Sequence, residues 1–488
     1  MRLSELAKIC GADVVRGANV EVKSVTIDSR KANRGCAFVA CPGATPSSKG
    51  GHEFIRSAIH SDADVVVCQP AYADDVAELA VATVDDPRRF VAMAAEILNG
   101  SPSKSLTIIG VTGTNGKTTV SFLLAEMLEA LGKKAAVFGT LGIGAPGASQ
   151  PMGYTTPEAE VLSARLADLR DEGFEYVCME VSSHALATAR ADGIHFSVAA
   201  FTNFSQDHLD FHPTMEHYLD AKLRLFGSLL PKEGWAVVPK RPAEAFSNAK
   251  DAGTHLRVVG DKDGLHVVNV SQNLEGMQLT LVDGEERALV KAPLFGGFNA
   301  ENILLAAGIG LSLGFDLSDV AEGLSAVKGV PGRMERVGTE GPCVLVDFAH
   351  TPDALKAALL ACRGAVAEGG KLVVVFGAGG DRDPSKRALM GREASLLADE
   401  VWLTSDNPRS EDPQLILNNI KEGCVPDFAP IHVESDRALA IGAALASLDP
   451  RDVVLIAGKG DERFQTIAGE KLPFVDREVA LRALEIRE

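Results

Sequence analysis

Short apolar runs alternate with segments of helical period along most of the chain, and this alternation predicts its elements. The apolar runs of strand length fall at residues 25–27, 36–40, 63–68, 108–111, 176–181, 198–201, 344–346, 372–376, 400–403 and 453–456. Strands that alternate with helices are typical of βαβ units, in which helices cover a mostly parallel sheet. The sequence therefore predicts an α/β protein.

Two breaks in the pattern predict domain boundaries. The segment Asn99-Gly100-Ser101-Pro102-Ser103 ends the first set of runs, and Gly329-Val330-Pro331-Gly332 precedes the last. A chain of 488 residues is also too long for a single core. We expect three domains: a small N-terminal α/β domain over 1–102, a central P-loop ATPase-like domain with a mostly parallel sheet over 103–330, and a C-terminal Rossmann-like domain over 331–488.

Charge and cysteine usage narrow the class of protein. The formal net charge is −18, which argues against nucleic acid as the main partner but leaves room for a small anionic metabolite. The eight cysteines form no C-x-x-C pair, as expected of thiols in a reducing cytosol. The charged N-terminus does not resemble a signal peptide, and no apolar window reaches the ~18 residues of a membrane span. We therefore expect a cytoplasmic protein without a membrane span.

A glycine loop with a lysine and hydroxyls follows the run that ends at Val111. It reads Thr112-Gly113-Thr114-Asn115-Gly116-Lys117-Thr118-Thr119. Glycine backbone N–H groups can approach phosphate oxygens, Lys117 can neutralise β/γ charge, and the Thr118 hydroxyl can complete a Mg²⁺ shell. Val111 stands where the full motif has its first glycine, so this is a shortened variant, and an ordinary strand-to-helix turn is the alternative. We predict an enzyme that binds ATP.

Glu180 and His208 follow the next two strands and could approach that loop. A carboxylate and an imidazole suit a divalent metal near phosphates, although Mg²⁺ prefers oxygen ligands. Each residue also has a structural interpretation, because an acidic residue at a strand end is often a helix cap and a histidine among aspartates often lies on the surface.

Lys222 occupies the apolar face of a predicted helix. Helical spacing places it beside Tyr218, Leu219, Leu225 and Phe226. Burial lowers the pKa of a lysine, and the neutral amine can then act as a base, a nucleophile or a carbamate precursor. A lysine that extends its ammonium from the edge of a core is the alternative.

Three polar loops follow strands in the last domain. They are the loops 379–383, 405–409 and 458–462. Arg382 and Arg409 offer forked donors that match carboxylates, while Asp406 and Glu462 can hold an ammonium. The loops therefore predict a pocket for a zwitterionic amino acid, with ordinary turn chemistry as the alternative.

Segments along the whole chain resemble the Mur ligase family, ATP-dependent enzymes that form amide bonds in peptidoglycan synthesis. They are Asp28-Ser29-Arg30, the phosphate loop, Thr155-Thr156-Pro157, Met179-Glu180-Val181-Ser182-Ser183-His184, Asp207-His208-Leu209-Asp210, Ala221-Lys222, Phe298-Asn299, Pro331-Gly332-Arg333-Met334-Glu335, Asp347-Phe348-Ala349-His350-Thr351-Pro352-Asp353 and Asp406-Asn407-Pro408-Arg409. Within the family the likeness is to the branch that adds meso-2,6-diaminopimelate to UDP-N-acetylmuramoyl-L-alanyl-D-glutamate.

The resemblance implies a role for each matching residue. The UDP-linked dipeptide would be held by the first domain together with Ser29, Thr155, Thr156, Ser182 and Arg190. Mg²⁺ would be held by Thr118, Glu180, His208 and Lys222 as its carbamate. The nucleotide would be held by 112–119, Asn299, Arg333 and Asp347. Diaminopimelate would be held by Arg382, Asp406, Asn407, Pro408, Arg409, Gly458 and Glu462, and the catalytic residues would be Lys117, Glu180, His208 and Lys222.

We also expect a monomer, and from these loops an acyl-phosphate mechanism in which the third domain closes to bring in the amine. Three positions depart from the family pattern: Asp461 replaces a histidine, Thr188 a glutamine and Phe348 a tyrosine. A lysine-adding or D-glutamate-adding relative and a folylpolyglutamate synthase-like ligase are alternatives. A P-loop ATPase that switches a partner is an alternative from another class, but it gives the amino-acid loops no purpose.

Overall fold

The computed structural model describes residues 1–43, 48–76, 79–150, 152, 154–209, 211–241, 246, 254–338, 341–446 and 448–485. The chain divides into two compact units, Met1–Asp261 with Gly308–Phe315 and Lys262–Ala307 with Asp316–Glu488. Both units are α/β, and each predicted apolar run lies on a strand. The domain boundaries near residues 102 and 330 stay predictions.

The N-terminal part of the first unit is a five-stranded sheet. Its strands are β1 (Asp13–Arg16), β2 (Ser24–Thr26), β3 (Cys36–Val39), β4 (Val65–Cys68) and β5 (Ala80–Thr83). The order is β1-β5-β4-β3-β2, with only β1 antiparallel. The helices are α1 (Leu3–Cys10), α2 (Ile55–His60) and α3 (Pro87–Leu98). The Asp86 carboxylate caps α3, and a proline suits its first position.

A seven-stranded sheet follows in the same unit. Its strands are β6 (Thr107–Thr112), β7 (Ala135–Gly139), β8 (Gly142–Gly144), β9 (Tyr176–Glu180), β10 (Val198–Phe201), β11 (Trp235–Pro239) and β12 (His255–Val259). The order is β12-β11-β10-β6-β9-β7-β8, parallel except for β8. Its helices are α4 (Lys117–Ala130), α5 (Ala159–Asp171), α6 (Ser183–Ala187) and α7 (Met215–Arg224).

The strand order explains where the first set of candidate residues meets. β6 lies between β9 and β10, so the chain leaves the sheet in opposite directions on either side of β6. In open parallel sheets, ligands bind beyond the carboxyl ends of the strands at such a reversal. The loops after β6, β9 and β10 are therefore neighbours.

The second unit contains an antiparallel and a mostly parallel sheet. The antiparallel meander is β13 (His266–Asn273), β14 (Gly276–Asp283) and β15 (Glu286–Ala292). The six-stranded sheet contains β16 (Glu335–Val337), β17 (Cys343–Asp347), β18 (Leu372–Phe376), β19 (Glu400–Leu403), β20 (Ile431–Val433) and β21 (Val453–Ala457) in the order β16-β17-β21-β18-β19-β20. Only β16 is antiparallel there, and β22 (Phe464–Ile467) and β23 (Glu470–Pro473) form a hairpin.

The remaining helices come after β15 along the chain. They are α8 (Phe298–Ser312), α9 (Leu317–Ser325), α10 (Pro352–Arg363), α11 (Ser385–Leu397), α12 (Pro413–Glu422), α13 (Arg437–Ala446) and α14 (Asp476–Glu485). In the part of the chain that the structure describes, no helix combines the length and the apolar character that a membrane span requires.

Candidate active site

The predicted phosphate loop connects β6 to α4. The helix begins at Lys117, and the loop contains Gly113 at φ 140° and Gly116 at φ 84°. Only glycine adopts such angles without strain, and a side chain at Gly113 would also collide with the Thr202 hydroxyl. The first N–H groups of a helix have no partner within it and attract anions. The loop therefore has the geometry of a phosphate site.

The loop after β10 braces the phosphate loop. Asn203 accepts hydrogen bonds from the backbone of Thr114 at its carbonyl and of Asn115 at its side-chain oxygen, both at 2.9 Å. The Thr202 hydroxyl donates to the carbonyl of Asn115 at 2.5 Å. These bonds hold the loop in one conformation. The loop therefore loses less conformational entropy when a nucleotide binds.

Glu180 lies at the carboxyl end of β9 with 2% of its surface exposed. The Thr118 hydroxyl donates to its Oε2 at 2.9 Å, and the Thr140 backbone donates to its Oε1 at 2.8 Å. A side chain at Gly139 would collide with the carboxylate, so the sequence keeps this space open. Thr118 and Glu180 thus present adjacent hard oxygens, as the sequence analysis predicts.

Lys222 is buried, with 1% of its surface exposed. Its Nζ donates to the Gly113 carbonyl at 2.7 Å and lies 4.3 Å from the centre of the Tyr218 ring. Lys117 donates to the same carbonyl at 3.0 Å. Burial, and then the Lys117 charge, lowers the pKa of Lys222 from 10.5 to about 6. The predicted burial of Lys222 beside Tyr218 is confirmed, and its role in the reaction stays a prediction.

His208 is more open than Glu180. Its side chain is 41% exposed, its Nε2 lies 3.5 Å from Asp207, and its ring meets His184 edge-on with centroids 4.8 Å apart. The backbone adopts φ 53°, a left-handed conformation that is uncommon for residues other than glycine, although histidine, asparagine and aspartate adopt it more often than the rest. Asp210 of the same motif lies outside the described residues. The role of His208 as a metal ligand stays a prediction.

The metal prediction depends on hydroxyl and lysine groups as well as on acids and histidines. Among the described residues, no three His, Cys, Asp or Glu side chains are grouped as a metal site would require. A cation at this place would therefore use the oxygens of Thr118 and Glu180, which fit Mg²⁺ in kind.

Four of the residues assigned to the UDP-linked substrate lie together. Thr155 shares a hydrogen bond of 3.0 Å with Thr140. Thr156 accepts from the Ser182 backbone at 3.2 Å, and Arg190 donates to the Thr156 carbonyl at 3.1 Å. This network adjoins Glu180 through Thr140, so the predicted substrate residues and the phosphate loop share one region of the first unit.

Ser29 lies apart from that network, in the turn after β2. The turn is closed by Asp28, whose carboxylate accepts two bonds at 2.9 Å from the Arg30 guanidinium. The adjacent Ile27 backbone donates to Glu160 of α5 at 3.2 Å, which ties this turn to that helix. Ser29 is buried, and its contact with a ligand stays a prediction.

Two of the three nucleotide candidates of the second unit, Asn299 and Asp347, already form hydrogen bonds within the protein. The Asn299 amide donates to the Phe295 carbonyl at 2.8 Å, so it is already engaged. Asp347, at the end of β17, accepts from the backbones of Met334 and Ala349 at 2.8 Å each, and burial raises the pKa of its carboxyl. Their contact with a nucleotide stays a prediction.

The three residues that depart from the family pattern, Phe348, Asp461 and Thr188, each interact with a neighbouring group in the protein. Phe348 packs under the Arg333 guanidinium at 4.5 Å from the ring centre. Burial raises the pKa of Asp461, against the nearby charge of Arg333. The Thr188 hydroxyl donates to the His184 carbonyl at 2.7 Å, so it is occupied by its own helix end.

The side chains of the two arginines of the amino-acid loops both approach Gly379. A Cβ built there would lie 2.8 Å from Nη1 of Arg409 and 3.7 Å from Cγ of Arg382. Arg409 also donates to the Gly380 carbonyl at 2.6 Å, and a side chain at Gly380 would collide with the Pro408 carbonyl. Gly379 therefore lies beside both the Arg409 guanidinium and the aliphatic part of the Arg382 side chain.

Asp406, Asn407, Gly458 and Glu462 form a connected set in the same unit. Asn407 donates to Asp406 Oδ1 at 3.1 Å and to Glu462 Oε2 at 2.8 Å. The other oxygen of Asp406, Oδ2, is buried without a hydrogen-bond partner in the described structure, and a Cβ at Gly458 would lie 2.5 Å from it. An unpaired buried carboxylate oxygen is costly, so it marks a place for a donor such as an ammonium.

Sequence reasoning misses three residues of these sites. Thr140 follows β7, and the apolar run 135–138 could have predicted that strand and the polar residue at its end. Asn203 lies within a motif but gives no sign of bracing the phosphate loop. Lys459 is fully buried beside Glu462, and a lysine between two glycines resembles a solvated turn in sequence.

Comparison with known proteins agrees with this geometry. Two protein-family models match, the Mur ligase middle domain over residues 111–310 and the Mur ligase, glutamate ligase domain over residues 332–460. A relative from Xylella fastidiosa (strain Temecula1), named UDP-N-acetylmuramoyl-L-alanyl-D-glutamate--2,6-diaminopimelate ligase, is 41% identical over 484 residues, which are 97% of this chain and 96% of the relative. One of the same name from Geobacillus kaustophilus is 39% identical over 498 residues, with 99% of each chain covered.

A solved structure of a ligase with that name superposes with a TM-score of 0.75 at 31% identity. The match covers 100% of this chain and 99% of the other. This likeness confirms the predicted three-domain α/β fold. The chain belongs to the Mur ligase family.

Proposed function

We propose that the chain is an ATP-dependent ligase that adds meso-2,6-diaminopimelate to UDP-N-acetylmuramoyl-L-alanyl-D-glutamate in peptidoglycan precursor synthesis. The observation that carries the proposal is that the Arg409 guanidinium and the Arg382 side chain both lie beside Gly379, in the unit that also holds the unpartnered Asp406 oxygen. Guanidinium groups match carboxylates bidentately, and the aspartate matches an ammonium. Diaminopimelate has one carboxylate more than lysine and satisfies this set better.

The first step is phosphoryl transfer. A carboxylate oxygen of D-glutamate attacks the γ-phosphorus of ATP, and the bond from that phosphorus to the bridging oxygen breaks. The products are ADP and an acyl phosphate. The N–H groups at the start of α4 and the Lys117 ammonium bind the phosphates and offset the charge. Thr118 and Glu180 would hold Mg²⁺, with His208 as a further ligand, and the ion would supply positive charge to the phosphates.

Lys222 acts beside the phosphate loop as a carbamate. With a pKa of about 6 its amine is mostly neutral at pH 7, so its nitrogen can bond to the carbon of CO₂ and release a proton. The product is an anion with two oxygens where the unmodified residue carries an amine. It is a hard-oxygen group of the kind that divalent cations prefer.

Amide formation is the second step. The neutral amine of diaminopimelate attacks the acyl carbon, a tetrahedral intermediate forms, the nitrogen gives up a proton to water, and the C–O bond to phosphate breaks as inorganic phosphate leaves. Arg382 and Arg409 orient the amino acid by its carboxylates, while Asp406 and Glu462 accept its ammonium hydrogens. Holding the amine in place accounts for much of the rate, because a bimolecular attack becomes effectively unimolecular.

The decisive experiment supplies each amino acid with its acceptor nucleotide and measures ADP release and product mass. The proposal expects turnover with meso-diaminopimelate and the UDP-linked dipeptide, and roughly 10⁴-fold lower kcat/KM with L-lysine, because a site built to bind a carboxylate leaves its arginine without a partner when the substrate lacks one. Preference for lysine, D-glutamate or a folate would identify another ligase. Phosphate release that needs no amino acid would support an ATPase switch instead.

The proposal also covers the cellular location and the oligomeric state of the enzyme. All eight cysteines are free thiols, as in a reducing cytoplasm. We propose a cytoplasmic monomer, and sedimentation of the pure protein at working concentration tests the oligomeric state.

Arg409→Lys should lower kcat/KM for meso-diaminopimelate by about 10- to 100-fold, because lysine cannot reproduce the forked contact. The KM for ATP should not change. Steady-state kinetics with the amino acid varied checks this, and Arg392→Lys, an exposed arginine of α11, is the matched control. Equal losses in both variants would contradict the role given to Arg409.

A further inference from the structure

Lys459 is a fully buried lysine that the proposed mechanism does not use. It follows β21, between Gly458 at φ 115° and Gly460 at φ 54°, and its side chain has no exposed surface. Fully buried lysines are rare unless they are paired. Its position inside an amino-acid loop therefore calls for a reason.

The ammonium of Lys459 has three donors, and three acceptors surround it. It donates to Glu462 Oε2 at 2.7 Å, to the Phe464 carbonyl at 2.7 Å and to Asn407 Oδ1 at 3.3 Å. These acceptors belong to the loop after β21, to β22 and to the loop after β19. One cation therefore joins three segments around the candidate amino-acid pocket.

The bonds of Lys459 fix the orientation of two side chains. Glu462 is 39% exposed, and its carboxylate would sample several rotamers if nothing held it. Lys459 and Asn407 both bond to its Oε2, so the other oxygen is the one that can turn to a ligand. Asn407 accepts at Oδ1 from Lys459 and from the Thr466 backbone, which directs its amide towards Asp406 and Glu462.

The same contact also secures the backbone of Arg409. β22 is tied to Lys459 through the Phe464 carbonyl, and the Thr466 carbonyl of that strand accepts from the Arg409 backbone at 3.0 Å. A shift of β22 would therefore move the residue that matches the substrate carboxylate.

We propose that Lys459 is a positioning residue for the amino-acid substrate, acting through Glu462 and Asn407 without touching the substrate. The inference rests on the proposed function and adds a residue to it. The cation holds Glu462 and the β22 strand in the arrangement that receives the substrate's ammonium and carboxylates.

Lys459→Met tests this in the full-length protein. It should raise the KM for meso-diaminopimelate about tenfold or more, as expected for losing bonds to a charged group. The KM for ATP, and ¹⁸O positional exchange in ATP with the UDP-linked dipeptide but no amino acid, should stay within about twofold. Lys471→Met, an exposed lysine of β23, is the matched control and should change none of these values.

A double-mutant cycle with Glu462→Gln separates positioning from general damage. If Lys459 acts through Glu462, the double variant Lys459→Met with Glu462→Gln should bind the amino acid no worse than the single variant that binds it more weakly. Additive losses, an unchanged KM, or isotope exchange that falls together with amide formation would overturn the proposal. Should Lys459→Met not fold, Glu462→Gln alone must raise the same KM, and an unchanged value rejects the idea.

The unmodified protein distinguishes this proposal from the proposed function. Continuous phosphate release there without any amino acid would count against the ligase assignment. Normal amino-acid-dependent turnover in the unmodified protein with an indifferent Lys459→Met would count against Lys459 alone.

Discussion

Lys222→Met is expected to lower amide formation by on the order of a thousandfold while the protein still folds. The Lys222 amine donates to the Gly113 carbonyl of the phosphate loop at 2.7 Å and is the nitrogen that would become the carbamate. Methionine fills a similar volume against Tyr218 but offers neither a hydrogen bond nor a nucleophile. The loss should therefore appear in kcat.

The thermal stability of the Lys222→Met variant should not fall together with its activity. Burial lowers the pKa of Lys222 from 10.5 to about 6, so the unfolded chain binds its proton more readily than the folded one. As a free amine this lysine therefore costs stability, fully below pH 6 and progressively less as the pH rises towards 10.5. Methionine removes that cost, and Lys222→Met should melt no lower than the parent at pH 7.

Product formation and thermal melting of Lys222→Met, measured side by side, check both expectations. Lys232→Met, an exposed lysine of the same unit, is the control. The parent should also lose activity in buffer freed of CO₂ and regain it with bicarbonate. Turnover above about a tenth of the parent's in Lys222→Met would remove this residue from the mechanism.

The sequence predicts this part of the site well because its physical signals are local. Helical spacing alone places Lys222 on the apolar face with Tyr218 and Phe226, and all three are buried. A continuous apolar run predicts β6, and its position at the centre of the parallel sheet follows from burial on both faces. Glycines with positive φ explain the loop that comes next.

Other features depend on residues far apart in the chain and leave no local signal. The pairing of Lys459 with Asn407 joins positions 52 residues apart, and Asn203 braces a loop 88 residues earlier. The meander β13–β15 is solvated on one face, so its polar positions interrupt the apolar runs that predict the other sheets. Such partners become visible only when the strand order is known.

A buried ion pair beneath the amino-acid loops is the second place where a large effect is expected. The Arg437 guanidinium and the Asp476 carboxylate have no exposed surface and form two bonds of 2.7 Å. Arg437 also donates to the carbonyls of Ser405 at 3.3 Å and Ala457 at 2.9 Å. These carbonyls lie at the starts of the loops that hold Asp406 and Gly458.

Asp476→Ala is therefore expected to lower the free energy of unfolding of the second unit by about 3–5 kcal/mol, because it leaves a buried guanidinium that cannot lose its proton. The chain has two tryptophans, and Trp402 lies in β19. In a Trp235→Phe background, urea unfolding followed by Trp402 fluorescence measures this unit alone.

Two variants show whether the buried charge causes that loss. Lys356→Ala breaks a pair whose lysine is 50% exposed, and should cost under about 1 kcal/mol. The double variant Arg437→Met with Asp476→Leu should recover most of the stability lost in Asp476→Ala, since replacing both charges removes the unpaired group. If Asp476→Ala costs no more than Lys356→Ala, the pair does not stabilise the floor of the amino-acid loops, and the positions of Asp406 and Gly458 must be fixed by the strands alone.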